Sequence, residues 1–280
     1  MDDEFAIEKR NDPRSTAELI HLALTEPDED AAWEPVGILQ YRATREVLDS
    51  AQHLCASGTA KERELGANIL GQLGIPERAF PEECFQILRK MLAPEDDPGT
   101  LNAIAVAFGH LDDPRCIDLL IPLKAHPDSN VRFGLVHGIS GHNHPAAIQT
   151  LIELSSDEDD EVRNWATFGL GILTFAKSPD IIFVDSPAIR DALAARLSDA
   201  FAEARMEALV GLARRKDQRA FDPLLEELTE DDVDEMAIEA AEELGDPRLL
   251  SALQELKHRW PESRSREEEW LDKAIASCTG

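Results

Sequence analysis

The sequence predicts an all-α chain, an α-α superhelix of about eight helical hairpins. Three observations carry the prediction. A Val-Arg motif returns at a fixed spacing, with Val131-Arg132 and Val162-Arg163 lying 31 residues apart. Apolar and small residues recur at three- and four-residue intervals inside each copy, the mark of an amphipathic helix. Proline and acidic turn residues fall at matching places between the copies.

The copies can be taken in order. "DAAWEPVGILQYRA" and "KERELGANILGQLGIP" open the series around Ala32 and Arg63. "GTLNAIAVAFGHLDDP" follows with Leu101 in place of the arginine, then "SNVRFGLVHGISGHNHP" (129–145) and "DEVRNWATFGLGILTFA" (160–176). Arg205 opens "RMEALVGLARRKD", Asp234 stands in "VDEMAIEAAEELGDP", and Arg266 roughly opens the last copy. The spacing stretches near 75–80 and near 176–186, where inserted loops are expected. Each copy holds two helices, A and then B. The B helix around Arg163 places Val162, Ala166, Gly169, Leu170 and Leu173 on one face, and Ala166, Gly169 and Gly171 let neighbouring helices approach closely. The A helices are shorter, as in 116–126, 147–156, 188–198 and 221–230, and Pro122 and Pro223 fall in the first turn or kink them.

The stretches "DSNVRFGLVHGIS", "DDEVRNWATFGLG" and "TAKERELGANILG" resemble bacterial HEAT repeats, in particular the type named for phycobilin lyases. The resemblance spans about Ser15 to Ser277. It implies one solenoid domain over residues 1–280, with B helices lining a concave surface. Residues 1–30 would cap one end and 257–280 the other. It also implies a structural ladder of Arg63, Arg132, Arg163 and Arg205, with Asp128 or Asp159 as expected partners of Arg163. The lyase activity of the name is the alternative function it raises.

Composition narrows the partners. The 280 residues carry 56 acids against 28 bases, a net charge of −28. Phosphate polyanions need clustered Lys and Arg, so no nucleic acid is expected, and an anionic membrane is disfavoured for the same reason. A protein with a basic surface is the favoured partner. The charged start "MDDEFAIEKRNDPRS" has no apolar core of a secretory signal, and the least polar run, Trp165 to Ala176, is too short to span a membrane. Cys55, Cys84, Cys116 and Cys278 form no CxxC and read as core residues in a reducing compartment. A cytoplasmic location is the expectation. The acids gather in runs at 26–30, 94–98, 155–161 and 229–235, each between an A and a B helix. There they favour the N-terminus of helix B, with an acidic ridge that steers a cation as the functional alternative.

No metal or cofactor is expected. None of the eight histidines is followed by glutamate, which removes the His-Glu ligand set of di-iron HEAT enzymes such as deoxyhypusine hydroxylase. His142 and His144, in "SGHNHP", read as a turn between repeats. The expected function is a non-enzymatic protein-binding scaffold, in its sharper form an immunity protein that masks a basic toxin. The binding face is expected at positions one, two and five after the ladder residue, which point away from the core stripe. In the central repeats these are Phe133, His137, Asn164, Trp165 and Phe168. The flanking repeats place Asn68, Asn102, Val106, Met206 and Glu239 there.

Overall fold

The computed structural model describes residues 2–172, 184–260 and 268–279, and the described residues are helical or in turns. After α1 (Asp2–Arg10), the remaining helices pair as hairpins. The chain divides into two compact units, residues 1–139 and 140–280. In the first, α2 (Thr16–Thr25) pairs with α3 (Glu29–Arg42), α4 (Arg45–Cys55) with α5 (Ala60–Gly71), and α6 (Pro81–Leu92) with α7 (Pro98–Leu111). The fourth A segment is a broken helix. A 3-10 turn at Pro114–Cys116 leads into α8 (Ile117–Leu120) and a second 3-10 turn at Ile121–Ala125, before α9 (Ser129–Ile139). In the second unit, α10 (Pro145–Leu154) pairs with α11 (Asp160–Ile172), and α12 (Pro187–Arg196) with α13 (Ala202–Arg214). There α14 (Phe221–Thr229) pairs with α15 (Glu235–Leu244), and α16 (Leu250–Arg259) with α17 (Glu268–Cys278). That is eight hairpins among the described residues, four in each unit, and the fold is an all-α repeat of the solenoid class. The expected loop at 176–186 lies largely outside the described residues, as do 261–267 of the expected C-terminal cap.

Within each unit B helices pack on B helices, in the orders α3–α5–α7–α9 and α11–α13–α15–α17. Small residues permit this. A Cβ added to Gly138 of α9 would sit 2.7 Å from the Ala105 carbonyl oxygen of α7, and one on Gly211 of α13 would sit 3.3 Å from the Gly171 Cα of α11. Apolar faces fill the interior: Phe108, Ile104, Leu120 and Leu135 are fully buried in the first unit, and Leu151, Leu170, Leu193 and Leu212 in the second. Each such side chain contributes about 1.5–3 kcal/mol by leaving water. The four cysteines are buried with them. Pro122 ends α8 rather than merely bending it, because a ring in mid-helix removes one N–H and clashes with the preceding turn. Pro223 sits in the first turn of α14, where it costs no hydrogen bond.

The acidic runs cap the B helices. Asp28 accepts the Ala31 N–H at 3.1 Å, Asp97 the Thr100 N–H at 2.9 Å, Asp159 the Glu161 and Val162 N–H groups at 3.1 Å, and Asp234 the Met236 N–H at 2.8 Å. "SGHNHP" is a turn and a cap. His144 precedes Pro145 at the start of α10 and its Nδ1 accepts the Ala146 N–H at 3.3 Å. His142 is buried, and its carbonyl accepts the His144 N–H at 2.9 Å. Pro114 and Pro247 open 3-10 turns that lead into the next helix.

The four expected ladder arginines share one geometry. In each, Nη1 donates to the carbonyl six residues earlier, at the end of the A–B linker: Arg63 to Ser57 at 3.3 Å, Arg132 to His126 at 2.8 Å, Arg163 to Asp157 at 2.9 Å, Arg205 to Asp199 at 2.8 Å. Arg63 and Arg163 also reach forward into the next hairpin. Arg63 makes a two-pronged bond to Glu95 at 2.7 and 2.8 Å, and Arg163 one to Asp199 at 3.1 and 3.0 Å. The partner of Arg163 is therefore Asp199, with a second contact to Asp160 on its own helix, and not Asp159, whose carboxylate is committed to the α11 cap. Burial opposes ionisation of Glu95 and Asp199. The arginine forks and backbone N–H groups outweigh it and hold both carboxyls below their usual values.

A second set of arginines reaches the other way. Asp-x-Arg occurs at 12–14, 113–115, 217–219 and 246–248. In each, the aspartate accepts the backbone N–H and the guanidinium of the arginine two residues on. Three of these arginines then reach back to the preceding A helix or its lead-in turn: Arg115 to Glu82 at 2.7 Å, Arg219 to Asp191 at 2.7 Å, and Arg248 to Gln218. Arg115 also lies over the Phe85 ring at 4.1 Å, and Arg248 over Phe221 at 3.8 Å.

Truncating Arg63 leaves Glu95, whose side chain is 4 % exposed, ionised without its fork. Arg63→Ala is expected to lower unfolding stability by about 2–4 kcal/mol, more than Arg45→Ala at an exposed pair, when both are read by urea denaturation. Equal losses would contradict the ladder role. The Arg219 side chain beside Asp217 holds the Asp217 carboxyl at about 2, against 3.8 ordinarily. A depressed carboxylate contributes stability that is complete above its unfolded value and is lost as pH falls through the folded one. Asp217→Asn is thus expected to cost about 2 kcal/mol at pH 6 and almost nothing at pH 2, and a loss that is flat across that window would refute the assignment.

Candidate functional site

The candidate residues lie on half-buried faces of the B helices. In the first unit, Asn68 on α5, Asn102 and Val106 on α7, and Phe133 and His137 on α9 are half-buried. Phe133 and His137, one turn apart, meet at a tilt of 55° with ring centroids 4.5 Å apart. Burial, and then the neighbouring His110, hold the His137 imidazole below the usual histidine value. In the second unit, Asn164, Trp165 and Phe168 on α11 are half-buried as well. Trp165 and Phe168 meet edge to face with centroids 5.5 Å apart. All five positions are half-buried rather than fully enclosed.

Met206 departs from the expectation. It is 5 % exposed, on a helix that is buried almost all round toward its C-terminus. Next to it on α13, Glu207 is half-buried. Burial raises its carboxyl to about 7; Arg214 opposes the rise and Glu239 adds to it. Glu239 on α15 accepts from Arg214 at 2.5 Å. Beyond it, Glu235, Met236, Glu239 and Glu242 of α15 form a cavity of about 290 Å³ with Trp270 of α17, which is 39 % exposed. The B face of the second unit thus runs from the Trp165–Phe168 pair, across carboxylates on α13 and α15, to Trp270. Glu207, Glu242 and Trp270 were not singled out in the sequence; Trp270 stands in the highly charged last repeat, where a tryptophan is out of keeping with a simple cap.

The remaining candidates are structural. Arg63, Arg132, Arg163 and Arg205 are engaged with linker carbonyls as described. Burial pushes the thiols of Cys55, Cys84 and Cys116 up to about 12, so they are poor nucleophiles. Among the described residues, no group of three or more His, Cys, Asp or Glu is arranged to hold a metal ion, and no helix is long and apolar enough to cross a membrane. A second cavity, of about 470 Å³, lies between α4 and α6 around the Arg63–Glu95 pair.

Helical hairpins stacked through their B helices, tied by arginines in the linkers and presenting a face of half-buried rings, define a repeat scaffold. Residues 85–171 and 189–270 match the family model for HEAT repeats, and the chain belongs to that family. It is 31 % identical over 233 residues to protein YibA of Escherichia coli strain K12, across 81 % of this chain and 79 % of YibA, and equally to YibA of strain O157:H7. The X-ray structure of E. coli YibA aligns with 99 % of this chain and 96 % of its own, with a TM-score of 0.72 at 26 % identity. An engineered protein shares the fold at 19 % identity and a TM-score of 0.53, over 94 % of this chain and 78 % of that one.

Glu207 yields a pH signature. A carboxyl raised in the folded state keeps a proton that the unfolded chain has already released, so stability falls as pH rises from about 4.5 to 7. Glu207→Gln is expected to remove that fall, gaining about 1–2 kcal/mol over wild type at pH 8 and nothing at pH 4 in urea titrations. Parallel pH profiles for the two proteins would show that Glu207 is not held protonated.

Proposed function

We propose that the protein is a non-enzymatic scaffold that binds a protein with a basic surface on its B-helix faces. One observation carries the reading: in the second unit, aromatic rings stand at both ends of a row of acidic side chains on α13 and α15, of which Glu239 also holds Arg214. Rings with large contact area and few rotamers supply anchoring, and the carboxylates between them select and steer a cationic partner. Phe133 and His137 on the first unit, and Asn164, Trp165 and Phe168 on the second, are the proposed contact residues. A lysine or arginine of the partner fits the cavity of Glu235, Glu239, Glu242 and Trp270, where a carboxylate and an aromatic face both favour a cation. Its arrival near Glu207 favours the ionised carboxylate, so binding releases a proton.

The sharper form of the proposal is an immunity protein whose acidic face masks a basic toxin. The net charge of −28 supports it, since such a surface competes with a polyanionic substrate for the toxin's basic site. Against the alternative of a bilin-lyase-like enzyme stand the three cysteine thiols that burial holds at about 12.

The test is recovery of a partner from extract of the source cells by the immobilised full chain, at low and at high salt. A basic protein is expected at low salt. Its recovery should fall at least tenfold with Trp165→Ala plus Phe168→Ala, and also with Glu239→Lys. Recovery indifferent to salt, or unchanged in both variants, would overturn the proposal.

A further inference from the structure

The stretched spacing after Arg63 is a built loop, and what it presents is a cation. Residues 72–80 join α5 to α6. Gly74 takes φ +84°, and a Cβ there would sit 2.3 Å from the Ala79 nitrogen, so only glycine fits. Three backbone bonds of 2.7 Å fix the path: Gly74 N–H to the Gln40 carbonyl, Arg78 N–H to the Gly74 carbonyl, and Ala79 N–H to the Leu73 carbonyl. Arg78 itself is held at φ +62°, a left-handed conformation that costs a residue with a side chain about 1 kcal/mol or more.

The Arg78 side chain is half-buried, and its Nη1 is shut off from solvent with no hydrogen-bond acceptor. The ladder arginines and those of the Asp-x-Arg turns all have acceptors. Here, in a chain with twice as many acids as bases, a partly desolvated guanidinium stands without one. Burial lowers its proton affinity, and the nearby Asp112 only partly offsets this. Beside it, Gln72 Nε2 lies 3.3 Å from His110 Nε2. An amide NH2 group only donates, so the ring nitrogen accepts and the imidazole carries its proton on Nδ1. Partial burial, and then the Arg78 charge, disfavour the imidazolium. His137 on α9 is the next group in this cluster, coupled electrostatically to His110. The C-terminal ends of α5 and α7 thus bring a guanidinium, an amide and an imidazole to one edge of the first unit, with Asp112 as the nearby acid.

We infer that Arg78, with Gln72 and His110, is a seat for a carboxylate contributed by a bound partner. The guanidinium is a planar fork that matches the two oxygens of a carboxylate, and one negative charge suffices to balance it. Phosphate carries nearly two charges at neutral pH and meets stronger repulsion from the acidic chain. The site goes beyond the proposed capture of a basic surface: it asks the ligand for an acid at one point, and so sets orientation rather than charge.

The Nε–Hε signal of Arg78 in an ¹⁵N-labelled full chain, assigned by its loss in Arg78→Lys, reads the site directly. Three probes are titrated at constant ionic strength set by chloride: N-acetyl-aspartamide for an acidic side chain, N-acetyl-alanine for a chain terminus, and inorganic phosphate. At least one carboxylate is expected to shift the signal saturably in the millimolar range, and to raise the His110 pKa by screening Arg78. Which of the two binds more tightly tells a side chain from a terminus. In Arg78→Gln the histidine response to carboxylate should vanish, while the free His110 pKa rises because a neighbouring cation is gone. No saturable shift, or saturation by phosphate alone, overturns the inference. Neither result touches the salt-dependent recovery on the second unit.

Discussion

A helix that ends leaves carbonyl groups without partners, and a chain that must turn from helix A into helix B eight times meets this problem at every linker. Arg63, Arg132, Arg163 and Arg205 answer it in the same way. Each stands in the first turn of its B helix, and one guanidinium nitrogen returns to the carbonyl six residues earlier. The bond fixes where the B helix starts relative to the end of A. Everything that follows on the B helix inherits its rotational phase from this anchor, including which residues meet the neighbouring B helix and which face outward. A shift of one residue would turn Gly138 or Gly171 away from the close crossings and set a larger side chain there.

The same residues couple one hairpin to the next. Arg63 and Arg163 extend forward to Glu95 and Asp199, acids of the following linker that also accept backbone N–H groups. The Asp-x-Arg turns extend backward, from the start of an A helix to the one before it. Forward struts on the linker edge and backward struts at the opposite ends of the helices resist different motions, one a rotation of B helices, the other a splaying of A helices. This division also accounts for much of the acidity. Many linker carboxylates, among them Asp28, Glu95, Asp97, Asp159, Asp199 and Asp234, are committed to caps and forks. The acids that remain available to a partner are fewer than the composition implies, and the exposed Glu235 and Glu242 of the second unit belong to that remainder.

The hairpin count, the A–B order, the capping role of the acidic runs and the ladder arginines were all legible in the sequence, because each depends on spacing within one repeat. The partial burial of the five central face residues follows the same logic: phase relative to a ladder arginine is a local property. Met206 was misplaced, since it lies on a helix that is buried almost all round toward its C-terminus. The Asp-x-Arg turns are visible as a recurrence at 12–14, 113–115, 217–219 and 246–248, but their reach to Glu82 and Asp191 is a tertiary fact. So is the pairing of Arg163 with Asp199. The raised carboxyl of Glu207 combines burial with charges on α13 and α15, and no single segment holds it.

Departures from the repeat are where its self-consistency no longer explains a residue. Arg215 is such a case with a structural answer. Its side chain is fully buried just after α13, and it donates to the Leu170 carbonyl at 2.8 Å and the Val184 carbonyl at 3.4 Å, fastening the two described ends that flank 173–183. An ion contact to Asp185 at 3.4 Å completes its surroundings. The loop at 72–80 is the opposite case. It breaks the period, spends a left-handed residue and three short backbone bonds on holding its shape, and delivers an arginine that binds nothing within the fold. A framework that gives its ladder and Asp-x-Arg arginines acceptors has no internal use for that one, and the order of the loop around it is what a contact with another molecule would require.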